Sequence, residues 1–343
     1  MIIHIDIEPL RLDGDIPNDI YEFINEIVRI YRLATHIIVM KRPLCRKLID
    51  LQLDEYCRAA LMRIGNNYTQ YAQLVESSEI HLKVTHPDDF HIPQENVIIC
   101  SYKTFLNLNM SDGAKLLLEN GRNDAGIYIE MISSERALRS IPSFKIDVVH
   151  GGGDDIVGVA RAEIEKSALF LVVVDSDRSS LQEGESLKKR SITAEFRRAN
   201  YLFGRCLETP GHEAENFLSV DELSLLPQWQ GYSSSADLIA IDMGRMVENC
   251  EFMTFLDLKL GLQVQGLDLN DMKAAWLYDK MQHYGVERIA GMGNRVPQSF
   301  ANEPRAIKNF HKTMRKPAWR DIFGSCAAHL LWWFAADSRH RAI

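Results

Sequence analysis

Residues 169–177 read Leu-Phe-Leu-Val-Val-Val-Asp-Ser-Asp, six apolar residues in a row that end in two aspartates one residue apart. An unbroken apolar run of this length is typical of a strand buried on both faces, as in a parallel sheet covered by helices. A shorter apolar run at 115–118 and a second predicted strand at 144–149 precede it, and stretches with helical spacing separate the three. This alternation of strand and helix predicts an α/β fold whose parallel sheet is covered by helices.

The sequence patterns before and after this strand–helix alternation divide the chain into three regions. Residues 1–110 also alternate between strand and helix patterns and predict an N-terminal α/β region of unknown role. A Ser-Asp-Gly turn then opens a region over 111–230 that contains the apolar runs. A serine-rich stretch at 230–237 is expected to be a linker to a mostly helical C-terminal region over 236–343.

Local patterns predict two further helices. Helical spacing extends over residues 44–64, and Gly65 is expected to end that helix. The most hydrophobic segment, 322–336, is interrupted by Ser325 and His329 and is shorter than the ~20 residues of a membrane span. We therefore expect a buried helix there and no membrane association.

Composition and charge exclude several classes of protein. The chain has 343 residues, of which 46% are hydrophobic and 25% charged, as in an ordinary globular protein. Its net charge of −8 gives no overall attraction to phosphate, so any contact with nucleic acid must come from a local basic patch. The acidic, alternating N-terminal sequence is unlike a signal peptide, and we expect a cytoplasmic protein.

The cysteines carry no motif. They are far apart and form no Cys-x-x-Cys pair, which excludes a zinc ribbon and a thioredoxin-type redox site. Reduced and mostly buried thiols are the expectation for a cytoplasmic protein. The six cysteines are Cys45, Cys57, Cys100, Cys206, Cys250 and Cys326.

Acidic residues mark the ends of two apolar runs. Glu119 directly follows the first run, and Asp124 lies five residues further on; Asp175 and Asp177 follow the run that ends at Val174. Because the carboxyl ends of parallel strands meet at one edge of a sheet, we expect these acids to converge. Clustered carboxylates indicate a bound cation or raised pKa values, and oxygen ligands suit Mg²⁺ or Mn²⁺. Taken singly, such acids are also common as solvated turn residues and helix caps.

In their order along the chain, these acids resemble the motifs of a known family. Residues 116–124, Leu-Leu-Leu-Glu-Asn-Gly-Arg-Asn-Asp, resemble the first motif of Toprim domains, and residues 172–178, Val-Val-Val-Asp-Ser-Asp-Arg, resemble the second. Residues 212–218, His-Glu-Ala-Glu-Asn-Phe-Leu, are similar to a further element of OLD-family nucleases, with His212 where arginine is usual. The resemblance covers about residues 112–220 and implies a Toprim-like parallel sheet.

The resemblance also implies a reaction, the metal-dependent hydrolysis of phosphodiester bonds in DNA or tRNA with two Mg²⁺ or Mn²⁺ ions. Asp175 and Asp177 would be the central ligands, and Glu215 would be a ligand of the second ion. Glu119 would be a ligand or the general base, and Asp124 would complete its coordination. These five residues are the expected catalytic and metal-binding set.

Partners follow from the same resemblance. OLD-like enzymes carry or borrow an ABC-type ATPase, and this chain contains no GxxxxGK[ST] motif. We therefore expect a toxic effector of bacterial antiphage defence that a separate ATPase or sensor subunit restrains, similar to the PARIS arrangement, and a homodimer is possible. Two alternatives stay open: a housekeeping RNA-processing Toprim nuclease and a catalytically inactive Toprim interaction subunit.

Two basic segments stand out against the acidic background. One lies within 188–198, and the other is 301–343, with eight basic and three acidic residues. Each is either a solvated face or a surface for a nucleic-acid backbone, and for Arg178 a salt bridge to a neighbouring acid is an equal alternative. On a helix, residues 305, 308, 312 and 315 would form one stripe, which Pro317 would end. The candidate nucleic-acid-binding residues are Arg178, Lys188, Lys189, Arg197, Lys308, Lys312 and Arg315.

Overall fold

The computed structural model describes residues 1–9, 17–89, 96–180, 183–248, 252–265, 267 and 269–338. It contains two four-stranded parallel sheets flanked by helices, followed by a helical C-terminal region. The α/β fold expected from the sequence is therefore confirmed. Among the described residues no helix is both long and apolar enough to cross a membrane. The five described cysteines are free thiols, and Cys250 lies outside the described residues.

The N-terminal region contains the first sheet. Its elements are β1 (Ile2–Ile5), α1 (Asn18–Leu33), β2 (Ile37–Met40), α2 (Arg42–Ile49), α3 (Glu55–Ser77), β3 (His81–Thr85), β4 (Val97–Ser101) and α4 (Tyr102–Leu106). All neighbouring strands are parallel, in the order β2-β1-β3-β4. Helix α3 packs on α2 and β2, and α1 packs on α3 and α4.

The middle region contains the second sheet. Its elements are β5 (Lys115–Leu118), α5 (Gly121–Leu138), β6 (Ser143–Phe144), β7 (Asp147–His150), α6 (Ile156–Glu165), β8 (Phe170–Val174), α7 (Leu187–Arg198), β9 (Gly204–Glu208) and α8 (Val220–Leu223). The sheet is parallel, in the order β7-β5-β8-β9.

Strand β8 is buried on both of its faces, as its apolar run predicts. Phe170 and Val172 point to one face, where they join a small core with residues of α6 and α7. Leu171 and Val173 alternate to the other face and belong to the main core of the protein, which includes α5. Each such side chain contributes roughly 1.5–3 kcal/mol when it is fully buried.

The C-terminal region packs its helices on α5. Its elements are α9 (Ser235–Glu248), α10 (Phe252–Phe255), β10 (Gly261–Gln263), α11 (Met272–His283), β11 (Arg288–Ala290), α12 (Val296–Ala301), α13 (Pro304–Thr313), α14 (Pro317–Phe334) and β12 (Ala335–Ala336). Helices α12, α13 and α14 all contact α5. Most of the apolar segment 322–336 lies in α14 as a buried helix, as expected.

Two predicted boundaries in the first two regions are wrong. Residues 44–64 are not one helix: α2 ends before Asp54, whose side chain accepts a hydrogen bond from the Cys57 N–H and caps α3. Gly65 lies inside α3, where its lack of a side chain lets α3 approach Cys45 of α2. The run 144–149 is two strands, because β6 pairs antiparallel with β12 while β7 pairs with β5.

Two further boundaries differ in the C-terminal region. Helix α9 already begins at Ser235, so the connection after Gln230 is shorter than the linker expected over 230–237. Helix α13 ends at Thr313, which leaves Arg315 outside the expected helical stripe. Pro317 is the first residue of α14, a position where the missing N–H of proline costs nothing.

Candidate metal centre

The candidate site lies where the second sheet changes its direction of winding. From β5 the chain moves to β7 on one side, and from the neighbouring strand β8 it moves to β9 on the other side, so the connections that follow β5 and β8 lead in opposite directions. Crevices at such points are the usual binding sites of open parallel sheets. Glu119 directly follows β5, and Asp175 directly follows β8.

Glu119 joins the two strand ends. Its Oε1 accepts a hydrogen bond of 3.0 Å from the Asp175 backbone N–H. Its Oε2 accepts one of 2.5 Å from the ammonium of Lys188, which lies 3.8 Å from a carboxylate oxygen of Asp177. The expected nucleic-acid contact Lys188 is thus part of the acidic cluster, where it neutralises some of its charge.

Asp124 is buried, and the half-buried Asp175 lies near it. Burial raises the pKa of Asp175 well above its usual value, and the neighbouring charges of Asp124 and Glu119 raise it further. Burial also raises the pKa of Asp124, in the first turn of α5, to about 6. A cation bound between these groups would remove most of the cost of ionising them.

Asp177 is the exposed member of the cluster. Its φ of 51° lies in the left-handed region, which aspartate tolerates better than most residues. Its N–H donates to the His212 carbonyl, and the hydroxyl of Ser176 donates to the Gly211 carbonyl at 2.6 Å. These bonds fix the turn after β8 against the segment that carries Glu215.

Glu215 is fully buried in a short 3₁₀ turn over Ala214–Phe217. The amide of Asn216 holds this turn, because it donates to two carbonyl groups of the C-terminal region, those of Met253 and Leu256. Neither carboxylate oxygen of Glu215 accepts a hydrogen bond within the described residues. Burial raises the pKa of Glu215 to about 7.

Lys259 is a member of the cluster that the sequence patterns did not indicate. Its ammonium lies 3.1 Å from a carboxylate oxygen of Glu213 and 3.4 Å from Glu215 Oε1. Burial opposes its charge, but Glu215 and Glu213 raise the pKa of Lys259 above its usual value. It lies in the loop between α10 and β10, more than 40 residues after Glu215, so no local spacing connects the two.

His212 belongs to the one group of three possible metal ligands that lie close together among the described residues, and none of the five expected ligands is part of it. Its Nδ1 donates to the Arg178 carbonyl at 2.7 Å, and its Nε2 lies 3.7 Å from an oxygen of Asp257. His212, Glu213 and Asp257 each offer one ligand atom, and these three atoms lie within 4.8 Å of one another, close enough to hold an ion. Burial opposes protonation of His212, but the contact with Asp257 raises its pKa above the usual value.

The remaining basic candidates lie outside this cluster. Arg178 forms a salt bridge with Glu208. This is the alternative that the sequence left open beside a contact with phosphate. Lys189 pairs with Glu185 at 2.7 Å on α7. The other four are exposed, one on α7, two on α13 and one after it: Arg197, Lys308, Lys312 and Arg315.

A comparison of the chain with protein-family models, with curated proteins and with solved structures finds no match. The geometry of the second sheet is therefore the basis of the functional proposal.

Proposed function

We propose that this chain is a metal-dependent nuclease that hydrolyses phosphodiester bonds of nucleic acid. The observation that carries the proposal is that Glu119, Asp124, Asp175, Asp177 and Glu215 lie near one another at the carboxyl edge of the second sheet, through the hydrogen bond of Glu119 to the Asp175 N–H, the contacts of Lys188 and their mutual charge effects. Among the described residues no three of these five present ligand atoms within 4.8 Å of one another, so ion binding requires their side chains to move closer. Burying several carboxylates together raises the free energy of the folded protein, and a bound cation offsets that increase. The same five residues are those that match the Toprim and OLD-type motifs.

The donor set fits divalent cations. It consists mainly of carboxylate oxygens, which suit Mg²⁺ and Mn²⁺. Apart from the ion pair of Oε1 with Lys259, the two oxygens of Glu215 accept no hydrogen bond among the described residues. Glu119, Asp124, Asp175, Asp177 and Glu215 would hold the ions. When bound, such ions activate a water and stabilise the leaving oxygen of a phosphodiester.

The two lysines of the cluster would act on substrate binding. Lys259 and Lys188 each keep an ammonium between carboxylates, so that the acidic crevice does not repel a phosphate as strongly as its acids alone would. Each ammonium has three N–H donors, and a phosphodiester oxygen that enters the crevice can accept one of them. Asp177 is half exposed and meets the solvent at the mouth of the crevice.

The biological setting we propose is a toxic effector that a separate ATPase or sensor subunit restrains. This part rests on the similarity of residues 212–218 to the OLD-type element and on the lack of a GxxxxGK[ST] motif in the chain. An unrestrained nuclease is toxic to its host. Expression of the chain alone should therefore inhibit growth, and Asp175→Asn should abolish the inhibition.

The test of the proposed activity uses the purified protein. Plasmid DNA, single-stranded DNA and total tRNA are each incubated with Mg²⁺, with Mn²⁺ or with EDTA. We expect at least one substrate to be cleaved with metal and none with EDTA, and no cleavage by Asp175→Asn. Equal cleavage by the wild type and by a folded Asp175→Asn variant would contradict the assignment and expose a contaminating nuclease.

A further inference from the structure

Three side chains beside the acidic crevice converge on one point. Of the residues that the structure describes, only His212, Glu213 and Asp257 bring three candidate ligand atoms within 4.8 Å of one another. His212 and Glu213 directly precede the 3₁₀ turn of Glu215, whereas Asp257 follows α10 in the C-terminal region. The set offers one imidazole nitrogen and two carboxylates, and it therefore differs in chemistry from the five acids of the proposed nuclease site.

The ring of His212 is held so that one nitrogen is available as a ligand. Its Nδ1 lies 2.7 Å from the carbonyl oxygen of Arg178. Because a carbonyl oxygen only accepts hydrogen bonds, Nδ1 carries the proton, and Nε2 of the neutral ring keeps its lone pair. Histidines that bind metal ions almost always donate their other N–H in this way, which fixes the tautomer and the orientation of the ring.

The two oxygens of Asp257 have different partners. Oδ1 accepts hydrogen bonds from the N–H groups of Lys259 and Leu260, at 2.9 and 2.7 Å, and these bonds fix the side chain. Oδ2 lies 3.7 Å from His212 Nε2, which is too long for a hydrogen bond. Two ligands of one tetrahedral zinc ion lie about 3.4 Å apart when each bond is about 2.0–2.1 Å long. The observed separation is closer to the spacing across an ion than to that of a direct hydrogen bond.

Glu213 offers the third ligand atom. Its side chain accepts a hydrogen bond from the Asn216 N–H at the start of the 3₁₀ turn. Its Oε2 is buried and accepts no hydrogen bond in the described part of the chain, and the ammonium of Lys259 lies 3.1 Å from it. The same ammonium lies 3.4 Å from Glu215 Oε1, so its charge stays paired when an ion takes Glu213 Oε2.

The charges around this point leave one divalent cation to be supplied. Three carboxylates meet there when they are ionised, those of Glu213, Glu215 and Asp257, and Lys259 contributes one positive charge. With a neutral His212 the group has two negative charges in excess, and one divalent ion makes it neutral. The side chain of Asp257 is 25% exposed, so an ion can enter from solvent.

We propose that His212, Glu213 and Asp257 bind one divalent transition-metal ion, with Zn²⁺ as the best fit, at a site of their own. An imidazole nitrogen suits Zn²⁺, whereas Mg²⁺ prefers oxygen ligands, and Mn²⁺ binds most weakly among the divalent transition metals. Three protein ligands leave a position on the ion that water fills. The inference goes beyond the proposed nuclease activity and does not depend on it.

The ion would connect two parts of the chain that carry the crevice. His212 is bonded to the carbonyl of Arg178, in the turn after β8, and Asp257 is bonded to the loop that carries Lys259. An ion between the two side chains therefore holds Lys259 and the turn of Glu215 together. Because it binds only the folded arrangement, it should raise the stability of the protein by mass action.

The experiment measures zinc binding against an excess of Mg²⁺. The purified full chain is stripped with EDTA and titrated with Zn²⁺ by calorimetry, with and without millimolar Mg²⁺, and its Tm is recorded in the same buffers. Asp257→Asn keeps an oxygen for the two N–H groups of its turn, and His212→Asn keeps a donor for the Arg178 carbonyl. The matched control is His311→Asn, whose Nε2 lies 2.9 Å from Glu130 on α5.

We expect the wild type and His311→Asn to bind one Zn²⁺ per chain, with a Kd that millimolar Mg²⁺ changes by no more than about twofold and with a rise in Tm. Asp257→Asn and His212→Asn should each weaken binding at least about 100-fold, because loss of a ligand exceeds the 10–100-fold effect of losing a ligand's hydrogen-bond partner. No zinc binding by the wild type, or the same affinity in Asp257→Asn and His311→Asn, would overturn the inference.

Diffraction at the zinc edge locates the ion in the wild type, so the inference stays testable if a variant does not fold. In crystals with Zn²⁺ and excess Mg²⁺ we expect anomalous density about 2.0–2.1 Å from His212 Nε2. Density only at Asp175 and its neighbours would overturn the inference.

Asp175→Asn separates this inference from the proposed function. The variant should bind Zn²⁺ as tightly as the wild type, and loss of zinc binding in this folded variant would place the ion in the crevice and overturn the inference. A wild type that binds Zn²⁺ at His212 but cleaves no nucleic acid contradicts only the proposed function. Metal-dependent cleavage by a protein that binds no Zn²⁺ at His212 contradicts only the present inference.

Discussion

The two parallel sheets of this protein have the same topology and opposite electrostatics. If the strands of each sheet are counted in chain order, both have the order 2-1-3-4. In both, an acidic residue directly follows the first strand: Asp6 after β1 and Glu119 after β5. Each of the two sheets therefore has a crevice at the point where its direction of winding changes.

The acid of the first sheet is balanced by cations. Asp6 lies 2.8 Å from the ammonium of Lys83 and 2.9 Å from that of Lys41. Burial alone would raise the pKa of Asp6, but the two lysines hold it well below its usual value. This crevice needs no added cation.

The second sheet has the reverse balance. Around Glu119, six carboxylates of the described residues share the ammonium groups of Lys188 and Lys259. The pKa values of Asp124, Asp175 and Glu215 are raised rather than lowered. The comparison teaches that topology only provides a place for a site, and that the charge imbalance distinguishes a candidate metal centre from a structural ion pair.

The largest expected difference between the sheets is in activity. Asp175→Asn should reduce kcat by more than about 100-fold, because loss of a ligand exceeds the 10–100-fold effect of losing a ligand's hydrogen-bond partner. Asp6→Asn should stay within about twofold of the wild type. Both are measured on the best substrate at saturating Mn²⁺, with circular dichroism to establish folding. Comparable losses in the two variants would mean that both crevices take part in the reaction.

Divalent metal ions should raise the stability of the folded protein, and they should do so through the crevice of the second sheet and not through that of the first. Ions that bind the folded state raise its stability by mass action, by about 2.7 kcal/mol at 100 times Kd. The Tm should rise with millimolar Mn²⁺ in the wild type and in Asp6→Asn, and Asp177→Asn should remove most of the rise. A wild-type Tm that is independent of Mn²⁺ contradicts ion binding in this crevice.

The pH dependence of stability should have opposite signs in the two crevices. Without metal, the raised pKa of Asp124 costs stability as pH rises from about 4, where the unfolded side chain ionises, to about 6. Asp124→Asn should therefore gain on the order of 1–3 kcal/mol at pH 7.5 and nothing toward pH 4. Asp6→Asn should lose stability at pH 7.5, and that loss should decline only as the pH falls from about 4, the unfolded pKa, toward the lowered pKa of the folded side chain. Denaturant unfolding in EDTA at both pH values measures this, and equal signs for the two variants would contradict it.

The smallest effect concerns the basic surface. Lys308→Gln with Lys312→Gln on α13 should weaken nucleic-acid binding across sequences and lower the log–log salt slope by about one unit per lost contact. Arg58→Gln with Arg63→Gln, exposed on α3 of the first region, is the matched control. If both pairs leave affinity and slope unchanged, α13 is a solvated face, and the helix α7 becomes the candidate path of the strand.

The sequence alone could locate the acidic residues at the strand ends but not the lysines that lie between them. The run ending at Val174 predicts a buried strand, and an acid after such a strand must lie at the sheet's edge. Lys259 lies in a loop far along the chain and carries no periodic signal, so only the packing of the C-terminal region on the second sheet brings it to Glu215. Clustered acids in a sequence indicate that cations lie among them, but they do not say which lysine of the chain is one of those cations.

Long-range pairing also explains the wrong boundaries. Residues 144–149 have the composition of one strand, but β12 at the far end of the chain pairs with Ser143 and Phe144 and divides the run. Glycine is typical of a helix end, but Gly65 lies inside α3, where an added Cβ would come within 3.2 Å of the Cys45 side chain. In both places a distant partner overrides a local preference.

The central claim is that divalent cations occupy the crevice of the second sheet and not that of the first. Anomalous diffraction from crystals soaked in Mn²⁺ tests it most directly. We expect anomalous density in contact with Asp175 and its neighbouring carboxylates, no density beside Asp6, and loss of the density in Asp175→Asn. Absence of any density at Asp175 under conditions that support cleavage, or density beside Asp6 instead, would contradict the account.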